Sequence, residues 1–151
     1  MTTIENRERV LDDLSRVQRK MRALFDARVK EQGLTLPRAR ALLVLGRSAN
    51  LNQRELAKEL DIETPTLVRL LDGMEKQGFI ERHAVAGDRR AKQIVLTGHG
   101  VHVAEQVQTL ARALRSDILK GLSPDDLNAT VRVFATMTAN IASSCRESVD
   151  P

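Results

Sequence analysis

Aromatic side chains are almost missing from this 151-residue chain, which has three Phe, no Tyr and no Trp. Proteins that hold single-stranded nucleic acid stack bases on aromatic platforms, so this composition argues against that class. The single cysteine, Cys145, excludes an internal disulfide, and a reducing compartment is the expected setting. No apolar run approaches the roughly 20 residues of a membrane span. The opening MTTIENRERVLDDL also lacks the apolar core of a secretion signal, so a cytoplasmic chain with no membrane partner is expected. Neither a Gly-rich phosphate loop nor a nucleophile elbow occurs. The adjacent carboxylates Asp125 and Asp126 fall at a helix start, where the dipole explains them. No catalytic site, enzyme activity or cofactor is expected.

What is present is an ordinary globular balance, 42% hydrophobic and 29% charged, with a formal net charge of +4. The basic surplus is local. Residues 35–100 carry eleven Lys/Arg against eight Asp/Glu, whereas residues 101–151 carry five against six. A polyanionic partner for the first two-thirds is favoured.

The hydrophobic pattern is helical nearly throughout. Val10, Leu14, Val17, Met21 and Leu24 step by four and three along a helix expected over residues 4–32, which Gly33 ends. Thr35 and Pro37 open a second helix to about Arg47, with Ala41, Leu42 and Leu45 inward. Asn52 with Glu55 three residues on is a capping-box pattern at the head of a third. Thr64 is expected to cap a fourth, with Pro65 at its first position and Gly78 as its left-handed stop. Its inward residues are Leu67, Leu70, Leu71 and Met74. Two short helices so closely joined make a helix-turn-helix unit.

FIERHAV and AKQIVLT then show partial period-two alternation around an AGDRR tip, which reads as a β-hairpin. Thr97 caps a long helix through Ala104, Val107, Ala111, Leu114 and Ile118, closed by Gly121. Ser123-Pro124 opens a last one bearing Leu127, Val131, Phe134 and Ile141. The fold class is therefore mainly α with a small β-hairpin wing. A winged helix-turn-helix lobe at 35–97 is flanked by an N-terminal helix at 4–33 and C-terminal helices at 98–147.

With its apolar face turned inward, the fourth helix presents Thr66, Arg69 and Gly73, with Thr64 at the amino end. An α-helix fits the major groove of duplex DNA, where an arginine can make a bidentate pair with guanine and a threonine can touch a base edge. The same residues would also serve as a solvated face. The hairpin tips the balance, because a wing tip lies beside the same duplex and Arg89 and Arg90 can reach its minor groove. Arg82 and Lys92 on the arms, with Arg90, are candidates to hold a phosphate or to support the wing. Asp88 pairs with an arginine or shapes the turn, and His83 is within reach of a phosphate.

The segment RELAKELDIETPTLVRLLDGMEKQGFIERHAVAGDRRAKQIVLTGHG resembles the winged-helix core of the MarR family of bacterial transcription regulators. LVRLLDGMEKQGFIER and DRRAKQIVLT are most similar to its SlyA subgroup, as is LSRVQRKMRALFDARVK to that subgroup's first helix. The resemblance weakens after about Gly121. It implies a homodimer with interlocked terminal helices on a palindromic double-stranded DNA operator, acting as a ligand-responsive repressor or activator and associated with the nucleoid. The long apolar-striped helices independently call for a partner surface. A low-specificity DNA-compacting dimer and a protein-interaction module are the alternatives.

The resemblance further implies a small aromatic carboxylate or phenolic effector at the junction of terminal helices and lobe. Arg16 and Arg19, one turn apart, could attract it, with Met21 or Phe25 as apolar wall; the plainer reading of both is as surface charges or salt-bridge partners. Peroxide-sensing members carry their cysteine in the first helix, so Cys145 is expected to be buried or inert. His99 and His102, spaced i,i+3, have only Glu105 nearby as a further ligand, and no metal site is expected.

Overall fold

The computed structural model describes residues 3–147, apart from the side chains of residues 88–91 and 147. Among the described residues the order is α1 (Thr3–Glu31), α2 (Leu36–Arg47), α3 (Gln53–Leu60), α4 (Thr64–Lys76), β1 (Ile80–Val85), β2 (Asp88–Leu96), α5 (Gly98–Ile118) and α6 (Pro124–Glu147). The chain divides into two compact units, the break falling between Leu114 and Arg115 inside α5. The mainly helical, single-hairpin fold class expected from the sequence is what the chain adopts.

The first unit is organised by the inward stripes of α2, α3 and α4. Leu42, Leu56, Leu67, Leu71 and Met74 are all fully buried in one cluster. Each such side chain contributes roughly 1.5–3 kcal/mol of transfer free energy, which holds three short helices together that would be marginal alone. Leu70, expected inward, is only partly buried at the cluster's edge. Val29 joins the same core from the end of α1. The more N-terminal stripe of α1 is open, with Val10, Val17 and Met21 each at least 40% exposed.

The hairpin is antiparallel, with Ile80 opposite Leu96, Arg82 opposite Ile94 and Ala84 opposite Lys92. Ile80 and Ile94 point into the core and fasten it there. A third segment adds to its edge, since the Ile94 amide donates to the Leu51 carbonyl at 2.9 Å and Asn52 bridges to Gln93. After Ala84 the register shifts. Val85 pairs with Asp88 across Ala86-Gly87, so residues 89–91 form an irregularity on the second strand and not the turn itself.

Most helix starts follow the local chemistry. The Asn52 side chain accepts the Glu55 amide at 2.8 Å, and Thr97 Oγ1 accepts the Gly100 amide at 2.9 Å. Ser123 Oγ accepts the Asp126 amide at 3.1 Å and donates to the Asp126 carboxylate at 2.6 Å. The fourth helix departs by one residue. Thr64 is its first helical residue and Glu63 its N-cap, with no side-chain cap bond. The Glu63 carbonyl accepts the Leu67 amide at 3.0 Å, and Pro65 still falls where a missing N–H costs nothing. Gly78, at φ +75, stops the chain after this helix as expected.

In the second unit, α6 has no buried residue among those described. Val131, Phe134 and Ile141 are 67%, 46% and 62% exposed.

Candidate nucleic-acid interface

With Leu67, Leu71 and Met74 buried, α4 turns Thr64, Thr66 and Arg69 outward, all exposed. Among the described residues no carboxylate pairs with Arg69. Lys76, two turns further along, is exposed as well. The helix thus carries hydrogen-bonding and cationic groups on one open face, while the N–H groups of its first turn point along the axis past its amino end. Such a face suits the edges and phosphates of a duplex.

The wing is tied to that helix by Arg82. Its Nη2 donates to Asp72 Oδ1 at 2.7 Å, its Nη1 lies 3.3 Å from Glu75 Oε2, and its side chain is only 18% exposed. Nη2 also approaches the Val68 carbonyl at 3.4 Å, and Nε is buried without a hydrogen-bond partner. Of the two roles expected at Arg82, holding a phosphate or supporting the wing, these ion pairs favour the second. Both guanidinium ends are engaged by α4, and the residue supports the wing. The signal was in the sequence: Ile80 is a core residue, and period two places Arg82 on the same side of the strand.

Elsewhere on the hairpin, Lys92 is exposed. His83 Nε2 lies 2.9 Å from Glu81 Oε2, both on the outer face. The side chains of Asp88, Arg89 and Arg90 lie outside the described residues.

The residues singled out as a ligand site do not come together. On the continuous helix α1, Met21 and Phe25 lie on the face away from Arg16 and Arg19. Arg16 instead forms an exposed ion pair with Asp13 at 3.2 Å, and Phe25 packs at the edge of the core. Sequence reasoning missed a cleft of about 130 Å³ whose lining includes Arg22, Leu36, Arg40, Ile62, Thr66 and Leu70. It depends on α1, α2 and α4 meeting, which no single stretch reveals.

Cys145 is exposed, which corrects the expectation of burial; α6 has no covered face in which to place it. His99 stacks obliquely on Phe79 with ring centroids 5.3 Å apart, while His102 lies 3.4 Å from Gln106. Among the described residues no three His, Cys, Asp or Glu side chains gather as a metal site would need.

Residues 32–91 match the sequence profile of the MarR family. The crystal structure of a transcriptional regulator, PA3341, is 39% identical, over 86% of this chain and 96% of that one, with a TM-score of 0.79. A MarR-family transcriptional regulator from Silicibacter pomeroyi is 26% identical, over 85% of this chain and 86% of that one, with a TM-score of 0.73. A structure of the S. aureus MepR-DNA complex shares the fold at 22% identity and a TM-score of 0.77, over 85% and 94% of the two chains.

Proposed function

Because the chain belongs to the MarR family of transcriptional regulators, we propose that it binds a palindromic double-stranded operator as a homodimer. The observation that carries this reading is the open face of α4, where among the described residues no carboxylate partners Arg69, beside a wing that Arg82 fixes to the same helix. Thr64, Thr66 and Arg69 enter the major groove, and Arg69 takes a guanine, a contact worth about 1–3 kcal/mol of discrimination. Arg89 and Arg90 reach the adjacent minor groove, with Asp88 orienting them, and Lys92 holds a phosphate. Two such helices in a dimer address successive major grooves roughly 34–36 Å apart.

Dimerisation is supported by the open apolar stripes of the terminal helices, Val10 and Val17 on α1 and Val131, Phe134 and Ile141 on α6. Residues 4–33 and 98–147 are thus the dimerisation parts around the lobe at 35–97. The likeness of the wing sequence DRRAKQIVLT and helix sequence LVRLLDGMEKQGFIER to the SlyA subgroup supports assigning the chain to it. An effector of the aromatic carboxylate or phenolic class would shift the spacing of the two lobes and so the DNA affinity, in either a repressor or an activator. Such a regulator works on the nucleoid, in the cytoplasm.

The test replaces Arg69 by Ala and compares binding to the duplex upstream of the protein's own gene with binding to random duplex. A sequence reader loses preference between the two, whereas a DNA compactor loses affinity equally for both.

A further inference from the structure

Arg38 occupies an unusual position. It precedes Leu42 by one turn and Leu45 by two on the inward stripe of α2, where the next two members are 0% and 6% exposed. An arginine there can bury its methylene stem along the core and must bring its charged head out at the edge. Where the head goes is set by Gly73. A Cβ built on that glycine would stand 2.6 Å from Arg38 Nη2 and 3.4 Å from Cζ, so the guanidinium lies directly over the bare backbone of α4. Glycine in a helix interior is unfavourable relative to alanine. Here the missing methyl is the opening through which an arginine of the neighbouring helix reaches the surface.

That surface is the one turned to nucleic acid. Gly73 follows Arg69 by one helical turn and Thr66 by two, so the Arg38 head emerges on the edge of the same open face. Among the described residues no carboxylate accepts from it. A half-buried guanidinium without an anion is poorly compensated by the protein itself, and its fork geometry matches a phosphate.

We propose that Arg38 is a phosphate-binding residue of the DNA interface, held in place by Gly73. It contacts the strand bordering the groove that α4 enters. A phosphate is favoured over a base because the head arrives from α2 at the helix edge, not from the crest that carries Arg69. The inference rests on the DNA-binding reading above but adds a contact that the recognition helix and wing do not contain.

The test uses the full-length protein and a random-sequence duplex over a range of salt, since a phosphate contact needs no operator. Wild type must first bind with a steep salt dependence; if it binds no duplex, the DNA-binding reading itself fails. Arg38→Met keeps the apolar stem and removes the charge. It is expected to weaken binding roughly tenfold and to reduce the log–log salt slope by about 0.9, with no change in preference among sequences. Gly73→Ala, which displaces the guanidinium, is expected to lower affinity in the same way without lowering the melting temperature. In the Arg38→Met background it should change nothing further. Wild-type affinity and slope in Arg38→Met would overturn the proposal. So would a Gly73→Ala effect that persists undiminished after Arg38 is replaced.

Discussion

Arg82 on β1 and Asp72 on α4 are joined at 2.7 Å, with Glu75 on the other side of the same guanidinium at 3.3 Å. The wing and the helix are therefore one mechanical piece. Asp72 and Glu75 are half-exposed, so the pairing contributes less than a dry one would, about 1–2 kcal/mol. Arg82→Ala is expected to destabilise the fold by that amount in urea unfolding. Its cost should shrink in an Asp72→Ala background, because the two side chains share one interaction. Strict additivity would show that the ion pair does not hold the wing.

Gly100, in the first turn of α5, lies hard against the preceding chain. A methyl at this position would run into the Phe79 carbonyl, a backbone atom that cannot swing aside. The same corner is braced by Thr97, whose hydroxyl donates to the Gly78 carbonyl while accepting the Gly100 amide. Gly100→Ala should cost about 2 kcal/mol or more through overpacking, read as a lower urea midpoint. An unchanged midpoint would mean that α5 can shift without loss.

The Asp126 carboxyl is held below the usual carboxylate range, first by the Ser123 hydroxyl and then by the Ser123 amide. A depressed acid stabilises the folded state above its ordinary pKa, and that contribution is lost as the pH falls through the folded value. The start of α6 should therefore loosen only in strong acid. Ser123→Ala is expected to raise the Asp126 pKa toward its ordinary value, as read by NMR titration of the carboxyl carbon. A titration curve identical to wild type would remove the serine as the cause.

Val131, Phe134 and Ile141 leave α6 with an apolar face open to solvent in a single chain. If that face closes on a second copy, Phe134→Asp should move the sedimenting species from dimer toward monomer. The melting temperature of wild type should also rise with protein concentration. A wild-type monomer across the concentration range would contradict the dimer.

Local chemistry was the legible part of this protein. Asn52 with Glu55, Thr97 with Gly100 and Ser123 with Asp126 are contacts three residues apart, and each follows from residue type alone. The inward stripes of α2 and α4 were equally readable from period. The sequence leaves Arg82 between a phosphate contact and a wing support, because a charged residue on a strand suggests a solvated arm while its phase with Ile80 points inward. The grouping of Arg16, Arg19, Met21 and Phe25 treated nearness in sequence as nearness in space, which a helix does not grant. The approach of Arg38 to Gly73 was invisible for a different reason. It depends on how two helices cross, and the residues stand far apart in the chain.

The central claim is that the open face of α4 and the wing together grip duplex DNA. The most direct measurement is binding of wild type and Arg89→Ala to the duplex upstream of the protein's own gene and to random duplex, each across salt. The account predicts that wild type prefers its own upstream duplex and that Arg89→Ala binds both far more weakly. Wild-type binding by Arg89→Ala, or no binding of either duplex by the wild type, would contradict it.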